Sequence, residues 1–143
     1  MKKMNRKIRR HQFTLIEVVI VIVILVTLAS IATPMYMNYV RQSKIGAAKS
    51  QVKLLVDAIN GYKLENGNYP EGENGLQALV ENVEDKETWQ GPYLQGSLPK
   101  DPWGNDYVYN CPGEENRPFE IISYGADGEP GGEGENADIN SWE

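Results

Sequence analysis

Residues 13–40 have the sequence FTLIEVVIVIVILVTLASIATPMYMNYV, in which Glu17 is the only charged residue. Residues 18–40 are 23 consecutive positions without a charge, and residues 18–26 contain only Val, Ile and Leu. At about 1.5 Å per residue these 23 positions make a helix of roughly 34 Å, which crosses a hydrocarbon layer of about 30 Å. Residues 13–40 therefore predict a transmembrane helix.

Charge is distributed unevenly on the two sides of this segment. Residues 1–12 carry six basic side chains and no acidic one, whereas the remaining 131 residues carry 8 basic and all 20 acidic side chains. Basic flanks stay in the cytoplasm, so we predict a cytoplasmic N-terminus and a C-terminal domain outside the inner membrane. A secretory signal peptide cut near residues 29–32 (ASIA) is the alternative, but its apolar part is only about 7 to 15 residues long.

The composition excludes several classes of protein. His11 is the only histidine and Cys111 the only cysteine, so the folded part lacks Ser-His-Asp and Cys-His catalysis, a His-rich zinc site and an internal disulfide. A net charge of −6 over 143 residues argues against binding to nucleic acid, which requires clustered Lys and Arg. We predict that the chain is not an enzyme.

Apolar residues continue at helical spacing beyond the apolar segment, at intervals of three or four residues. They are Ile45, Ala48, Val52, Leu55, Ile59 and Tyr62. This pattern predicts that residues 41–66 are the amphipathic half of one long helix, which ends near Asn66 because Gly67 suits a left-handed turn. Pro34 lacks a backbone N–H and predicts a kink or a weak turn in the first half.

Residues 67–143 are predicted to form a small α+β domain. Residues 75–80 indicate a short helix or a turn, and residues 107–109 and 119–124 are rich in β-branched and aromatic side chains typical of strands. The two strands would form a hairpin, which is marginal alone and needs the apolar face of the long helix to cover it.

The start of the long helix resembles a known targeting signal. Residues 12–17, QFTLIE, followed by an apolar run, resemble the class III signal of type IV pilins and pseudopilins. The resemblance implies that a prepilin peptidase removes the basic leader, residues 1–12, between Gln12 and Phe13 and then methylates Phe13. Gln12 stands where this family usually has Gly. The resemblance also implies that the segment around Pro34 loosens during filament assembly.

Glu17 is the assembly residue that this resemblance implies. A carboxylate in hydrocarbon costs several kcal/mol, so it is expected to find a partner. The new α-amino group of a neighbouring subunit is a suitable one, and such a pair would set the axial register of added subunits. The alternative is that Glu17 extends to the cytoplasmic headgroups without pairing.

Three later blocks narrow the resemblance to the major pseudopilins of type II secretion systems. They are residues 62–70 (YKLENGNYP), 75–79 (GLQAL) and 98–107 (LPKDPWGNDY). The resemblance implies a pilin-like fold and self-polymerisation into a periplasmic pseudopilus that drives export of folded proteins across the outer membrane. Its implied partners are minor pseudopilins and an inner-membrane assembly platform.

Other functions share the same anchor. A type IV pilin or a competence-type minor pilin in a surface filament is the main alternative, although Cys111 alone cannot form the C-terminal disulfide loop of many pilins. A membrane-tethered enzyme with paired carboxylates would need room for a substrate cleft. A receptor-like anchor that never polymerises would not need Glu17.

The acidic C-terminal segment is similar to the calcium loop of the same family. The ligands implied by this resemblance are Asp127, Asp138, the carbonyl of Tyr124 and, because Ala137 stands where a second Asp is frequent, either Glu135 or Asn136. Residues 127–138 contain five carboxylates and no basic side chain, which suits Ca²⁺ because this ion takes about 6 to 8 oxygen ligands. A solvated acidic tail without a metal is the alternative.

Overall fold

The computed structural model describes residues 12–72 and 75–143. Of the predicted leader, only Gln12 lies within these residues. Residues up to Tyr39 belong to one unit and residues 40–143 to a second.

A single long helix, α1, occupies residues Leu15–Asn66. All of its side chains from Leu15 to Tyr39 are exposed. Among the residues that the structure describes, α1 is the one helix that is long and apolar enough to cross a membrane. The exposure of a continuous apolar surface agrees with the predicted transmembrane segment, because lipid, rather than protein, would cover it.

Helix α1 continues through Pro34, so the expected weak point is not a break in the helix. Proline cannot donate the hydrogen bond that the Ser30 carbonyl would otherwise accept. Nearby hydroxyl groups bond to carbonyls of the preceding turn: Thr33 Oγ1 donates to the Ala29 carbonyl at 2.8 Å, and Ser30 Oγ to the Thr27 carbonyl at 2.7 Å. These bonds satisfy the polar side chains within the helix itself, as a hydrocarbon environment requires.

The second unit has its own core, and α1 supplies one side of it. The buried positions of α1 are Ala48, Val52, Leu55, Ala58, Ile59 and Tyr62, which confirms five of the six predicted positions and adds Ala58. The sixth, Ile45, is only partly buried and packs against the same core. Leu79, Tyr107, Ile121 and Ile139 belong to the same cluster. At roughly 25 cal/mol per Å² of apolar surface, burial of these side chains is the main stabilising contribution to the unit.

The end of α1 lies where the sequence predicts it. Asn66 is the last helical residue, and Gly67 has a φ of +83°. The Gly67 N–H donates to the Lys63 carbonyl at 2.8 Å, which caps the last turn. Just beyond, Pro70 is fully buried, and its carbonyl accepts a hydrogen bond from the Tyr109 hydroxyl at 2.8 Å.

The sheet has three antiparallel strands in the order β1-β2-β3, with β1 at Val108–Asn110, β2 at Glu120–Ser123 and β3 at Ile139–Asn140. Tyr109 pairs with Ile121 across the first two strands, as the predicted hairpin requires. Ser123 pairs with Ile139 on the other side of β2. The third strand was not predicted, because two residues are too few for a recognisable alternation.

Two short segments complete the second unit. The predicted helix at residues 75–80 is a 3-10 helix at Gln77–Leu79, with Ala78 and Leu79 buried. A second 3-10 turn, at Gly134–Asn136, lies in the acidic C-terminal segment. The architecture is α+β, as predicted.

Candidate functional site

The first candidate site is the start of α1. Phe13 is exposed and precedes the helix, and Thr14 caps it. The Glu17 N–H donates to Thr14 Oγ1 at 3.3 Å, and the Val18 N–H donates to the Thr14 carbonyl at 3.3 Å. The Thr14 side chain therefore satisfies one of the N–H groups that a helix start leaves without a partner, and its carbonyl accepts the first backbone hydrogen bond of the helix.

Glu17 lies in the first turn of α1, where the positive end of the helix dipole favours a carboxylate. Its side chain makes no ion pair with any residue in the described ranges 12–72 and 75–143. Pro34 is 17 positions further along α1, which corresponds to roughly 25 Å. The predicted assembly residues therefore occupy one helix but not one site.

The second candidate site is the C-terminal loop, which we define as residues 124–138. The loop is closed on itself: the Ala126 N–H donates to the Glu135 carbonyl at 3.0 Å. Gly125 has a φ of +65°, and a Cβ at this position would lie 2.7 Å from the Glu135 carbonyl oxygen. Only glycine therefore allows the two ends of the loop to approach this closely.

The two predicted aspartate ligands each bond to N–H groups of the loop. Asp127 Oδ1 accepts from the Glu129 N–H at 3.2 Å. Both carboxylate oxygens of Asp138 accept from the Gly131 N–H, each at 3.0 Å. Each carboxylate has further lone pairs beyond these bonds, so both residues suit an oxygen-coordinated cation.

The carboxylate of Glu135 already bonds to two side chains outside the loop. Its Oε1 accepts from the Trp103 indole Nε1–H at 2.9 Å, and its Oε2 lies 3.3 Å from Arg41 Nε. A guanidinium at this distance opposes the binding of a second cation by the same carboxylate. Of the two residues that the sequence left open, Asn136 is exposed and its side chain has no hydrogen bond within the described residues.

The C-terminal loop offers only a few carboxylates to a Ca²⁺ ion. Within residues 12–72 and 75–143, no three His, Cys, Asp or Glu side chains lie close enough together to hold a metal ion. A calcium site here therefore has to combine Asp127 and Asp138 with backbone and amide oxygens. The family resemblance names the Tyr124 carbonyl and the Asn136 side chain as such oxygens, and Ca²⁺ accepts mixed, irregular ligand sets.

The turn at residues 101–105 is hydrogen-bonded to the C-terminal loop, a role that the sequence alone does not indicate. Asp101 is 4% exposed, and its carboxylate accepts from the Trp103 N–H at 3.1 Å, the Asn105 N–H at 2.8 Å and the Ser123 hydroxyl at 2.7 Å. Asn105 Nδ2 in turn donates to the Gly125 carbonyl at 2.9 Å. One buried carboxylate thus orders the turn that contacts both ends of the loop.

Tyr107 lies two residues after this turn. Its hydroxyl donates to Gln51 Oε1 on α1 at 2.6 Å. Burial, and after it the negative charge of Asp101, raise the pKa of Tyr107 from 10.0 to about 12. The hydroxyl is therefore protonated at neutral pH and remains a donor to the helix.

Comparison with known proteins identifies the family. The model of the family "Type II secretion system (T2SS), protein G" matches residues 35–142. The chain is 43% identical to type II secretion system core protein G of Pseudomonas aeruginosa over 94% of this chain and 98% of the relative. It is 41% identical to the protein of the same name from Vibrio cholerae, over 99% and 96%.

A solved structure agrees with these matches. The crystal structure of the major pseudopilin from the type 2 secretion system of enterohaemorrhagic Escherichia coli aligns with a TM-score of 0.59 at 33% identity. The alignment covers 74% of this chain and 92% of the other. The family that the three sequence blocks predicted is confirmed: the chain belongs to the protein G family of type II secretion systems.

Proposed function

We propose that this chain is the major pseudopilin of a type II secretion system and polymerises through α1 into a periplasmic pseudopilus. The observation that carries the proposal is the exposed, charge-free surface of α1 from Val18 to Tyr39, with one carboxylate, Glu17, in its first turn. Helices in lipid associate through shape and polar pairing, which suits reversible addition of subunits. Minor pseudopilins, an inner-membrane assembly platform and a prepilin peptidase are the partners that this function requires.

We also propose how the chain is placed across the membrane and that it has no catalytic activity. Residues 1–12 remain in the cytoplasm until cleavage, α1 crosses the inner membrane, and residues 41–143 lie in the periplasm. The subunit makes and breaks no bonds in its substrates, and it acts by assembling. The same anchor would serve a surface pilin, but family membership favours the pseudopilus.

Processing of the N-terminus tests this proposal. The chain isolated from membranes of cells with an active prepilin peptidase should begin at N-methylated Phe13, which peptide mass spectrometry detects directly. Gln12→Gly is the matched comparison, because it restores the residue that the family usually has, and both chains should be cut. If the chain still begins at Met1 in cells that process other prepilins, it has no free α-amino group at Phe13. Glu17 then lacks its proposed partner, and assembly through this pair is ruled out.

We further propose that the C-terminal loop binds one Ca²⁺ through Asp127, Asp138, the Tyr124 carbonyl and Asn136. The carboxylates of Asp127 and Asp138 favour this ion, and the surrounding loop contains no basic side chain. Glu135 is the less suitable candidate, because Arg41 and Trp103 already bond to its carboxylate.

Calcium should therefore stabilise the full chain in detergent. A ligand at 100 times its Kd adds about 2.7 kcal/mol to the free energy of unfolding, so millimolar Ca²⁺ should raise the Tm of the wild type. Asp127→Asn and Asp138→Asn should lose this increase. Glu129→Gln, in the same loop, is the control and should keep it. An unchanged wild-type Tm at millimolar Ca²⁺ would overturn the calcium proposal and leave the pseudopilin proposal intact.

A further inference from the structure

The C-terminal loop is attached at two points to the turn at residues 101–105. At its start, the Gly125 carbonyl accepts from Asn105 Nδ2 at 2.9 Å. Near its end, Glu135 Oε1 accepts from Trp103 Nε1–H at 2.9 Å. Both attachments are hydrogen bonds between protein groups.

Glu135 also connects the loop to α1. Its second carboxylate oxygen lies 3.3 Å from Arg41 Nε. Arg41 is the first charged residue after residues 18–40 and therefore directly follows the predicted transmembrane segment. The side chain of Glu135 is 27% exposed and that of Arg41 is 53% exposed, so water screens much of this ion pair.

We propose that Arg41 and Trp103 are positioning residues that hold the C-terminal loop through Glu135. This clamp, defined as Arg41, Trp103 and Glu135, restrains the end of the loop and links it to the first periplasmic turn of α1. It acts on Glu135, which is the neighbour of the proposed ligand Asn136, whereas Asp127 and Asp138 bond to residues 129–131. The clamp itself consists of bonds between protein groups.

Hydrogen exchange of the full chain in detergent with EDTA tests the clamp. The probe is the Ala126 amide, which bonds to the Glu135 carbonyl at 3.0 Å. Arg41→Gln removes a partly exposed ion pair and should speed its exchange up to roughly fivefold. Trp103→Phe removes a donor to a charged acceptor and should speed it by roughly tenfold or more.

Two control variants and an internal reference separate the clamp from general destabilisation. Lys44→Gln lies one turn beyond Arg41, and Glu133→Gln removes a carboxylate of the same loop. Neither residue forms an ion pair within the described ranges, so both variants should exchange like the wild type. The amide of Leu55, in the core of the second unit, should keep its protection in every variant.

The ion pair between Arg41 and Glu135 should make amide exchange in the loop depend on salt concentration. High salt should speed loop exchange in the wild type but not in Arg41→Gln, because only the wild type has an ion pair to screen. Arg41→Gln and Glu135→Gln should together act no more strongly than Glu135→Gln alone. Equal exchange rates in the wild type, Arg41→Gln and Trp103→Phe would overturn the proposal.

Repeating the measurement with millimolar Ca²⁺ distinguishes the clamp from the calcium site. Calcium should still protect the loop in Glu135→Gln, although at a higher calcium concentration than in the wild type, because Glu135 positions the loop but is not a ligand in this proposal. If calcium protects the wild type alone, Glu135 binds the ion and the clamp assignment is wrong. If calcium protects neither chain, the calcium site fails while the comparison in EDTA still decides the clamp.

Discussion

Glu17→Gln should abolish filament assembly and protein secretion, whereas Glu17→Asp should retain part of both. Glutamine has nearly the same shape but no charge to pair with the α-amino group of a neighbouring Phe13. Leaving one member of a buried ion pair without its partner costs about 3 to 5 kcal/mol, which is more than a hundredfold in the equilibrium for each added subunit. Secretion of a reporter enzyme and the yield of sheared filaments measure the effect.

Glu17→Gln should remove the charge without disturbing the start of α1. The hydrogen bond between Glu17 and Thr14 uses the Glu17 backbone N–H, so Gln at this position keeps the start of the helix. Membrane insertion and leader cleavage of the variant should therefore match the wild type, and both are measured in the same cells. If Glu17 merely extends to the headgroups, Glu17→Gln would insert and secrete normally, and the pairing proposal would be wrong.

The second large effect is expected at Asp101, whose replacement by Ala should destabilise the second unit by about 3 to 5 kcal/mol. The carboxylate is buried and accepts three hydrogen bonds, from Trp103 N–H, Asn105 N–H and the Ser123 hydroxyl. Hydrogen bonds to a charged group contribute about 1.5 to 3 kcal/mol each, and the donors left behind would be desolvated without a partner. Since whole domains are stable by only about 5 to 15 kcal/mol, this is a large fraction.

Chemical denaturation of the full chain in detergent measures this loss. Asp106→Ala is the matched control, because Asp106 is an exposed aspartate of the same segment whose ion pair with Lys100 lies at the surface. It should change the free energy of unfolding by less than about 1 kcal/mol. Equal effects of the two substitutions would show that the buried network around Asp101 does not order the turn.

The long helix could be predicted because its signals are local. A charge-free run of 23 residues and an apolar spacing of three or four residues depend only on neighbours along the chain, and α1 at Leu15–Asn66 follows both. Glycine after Asn66 marks the helix end for the same reason, since φ > 0 is a property of one residue. The family resemblance depended on short blocks of sequence and was equally accessible.

The C-terminal loop could be predicted only in part. Its acidic residues and glycines are visible in the sequence, and they suggested Glu135 as a possible calcium ligand. Nothing local indicates that Arg41 lies 3.3 Å from this carboxylate, because the two residues are far apart in the chain and meet only when the domain folds. Arg41 was visible merely as the first charge after an apolar segment.

Local patterns in the sequence thus determined the long apolar half of α1 that is a candidate membrane span, the amphipathic face of α1, the hairpin and the family. Tertiary structure decided which distant groups meet. It placed β3 beside β2, buried Asp101 beneath its turn, and brought the partly buried Glu135 between Trp103 and Arg41. The physical reason is that helix periodicity and turn preference arise between residues a few positions apart. The partner of a buried carboxylate is instead selected by the whole packed domain, which must satisfy every polar group that it removes from water.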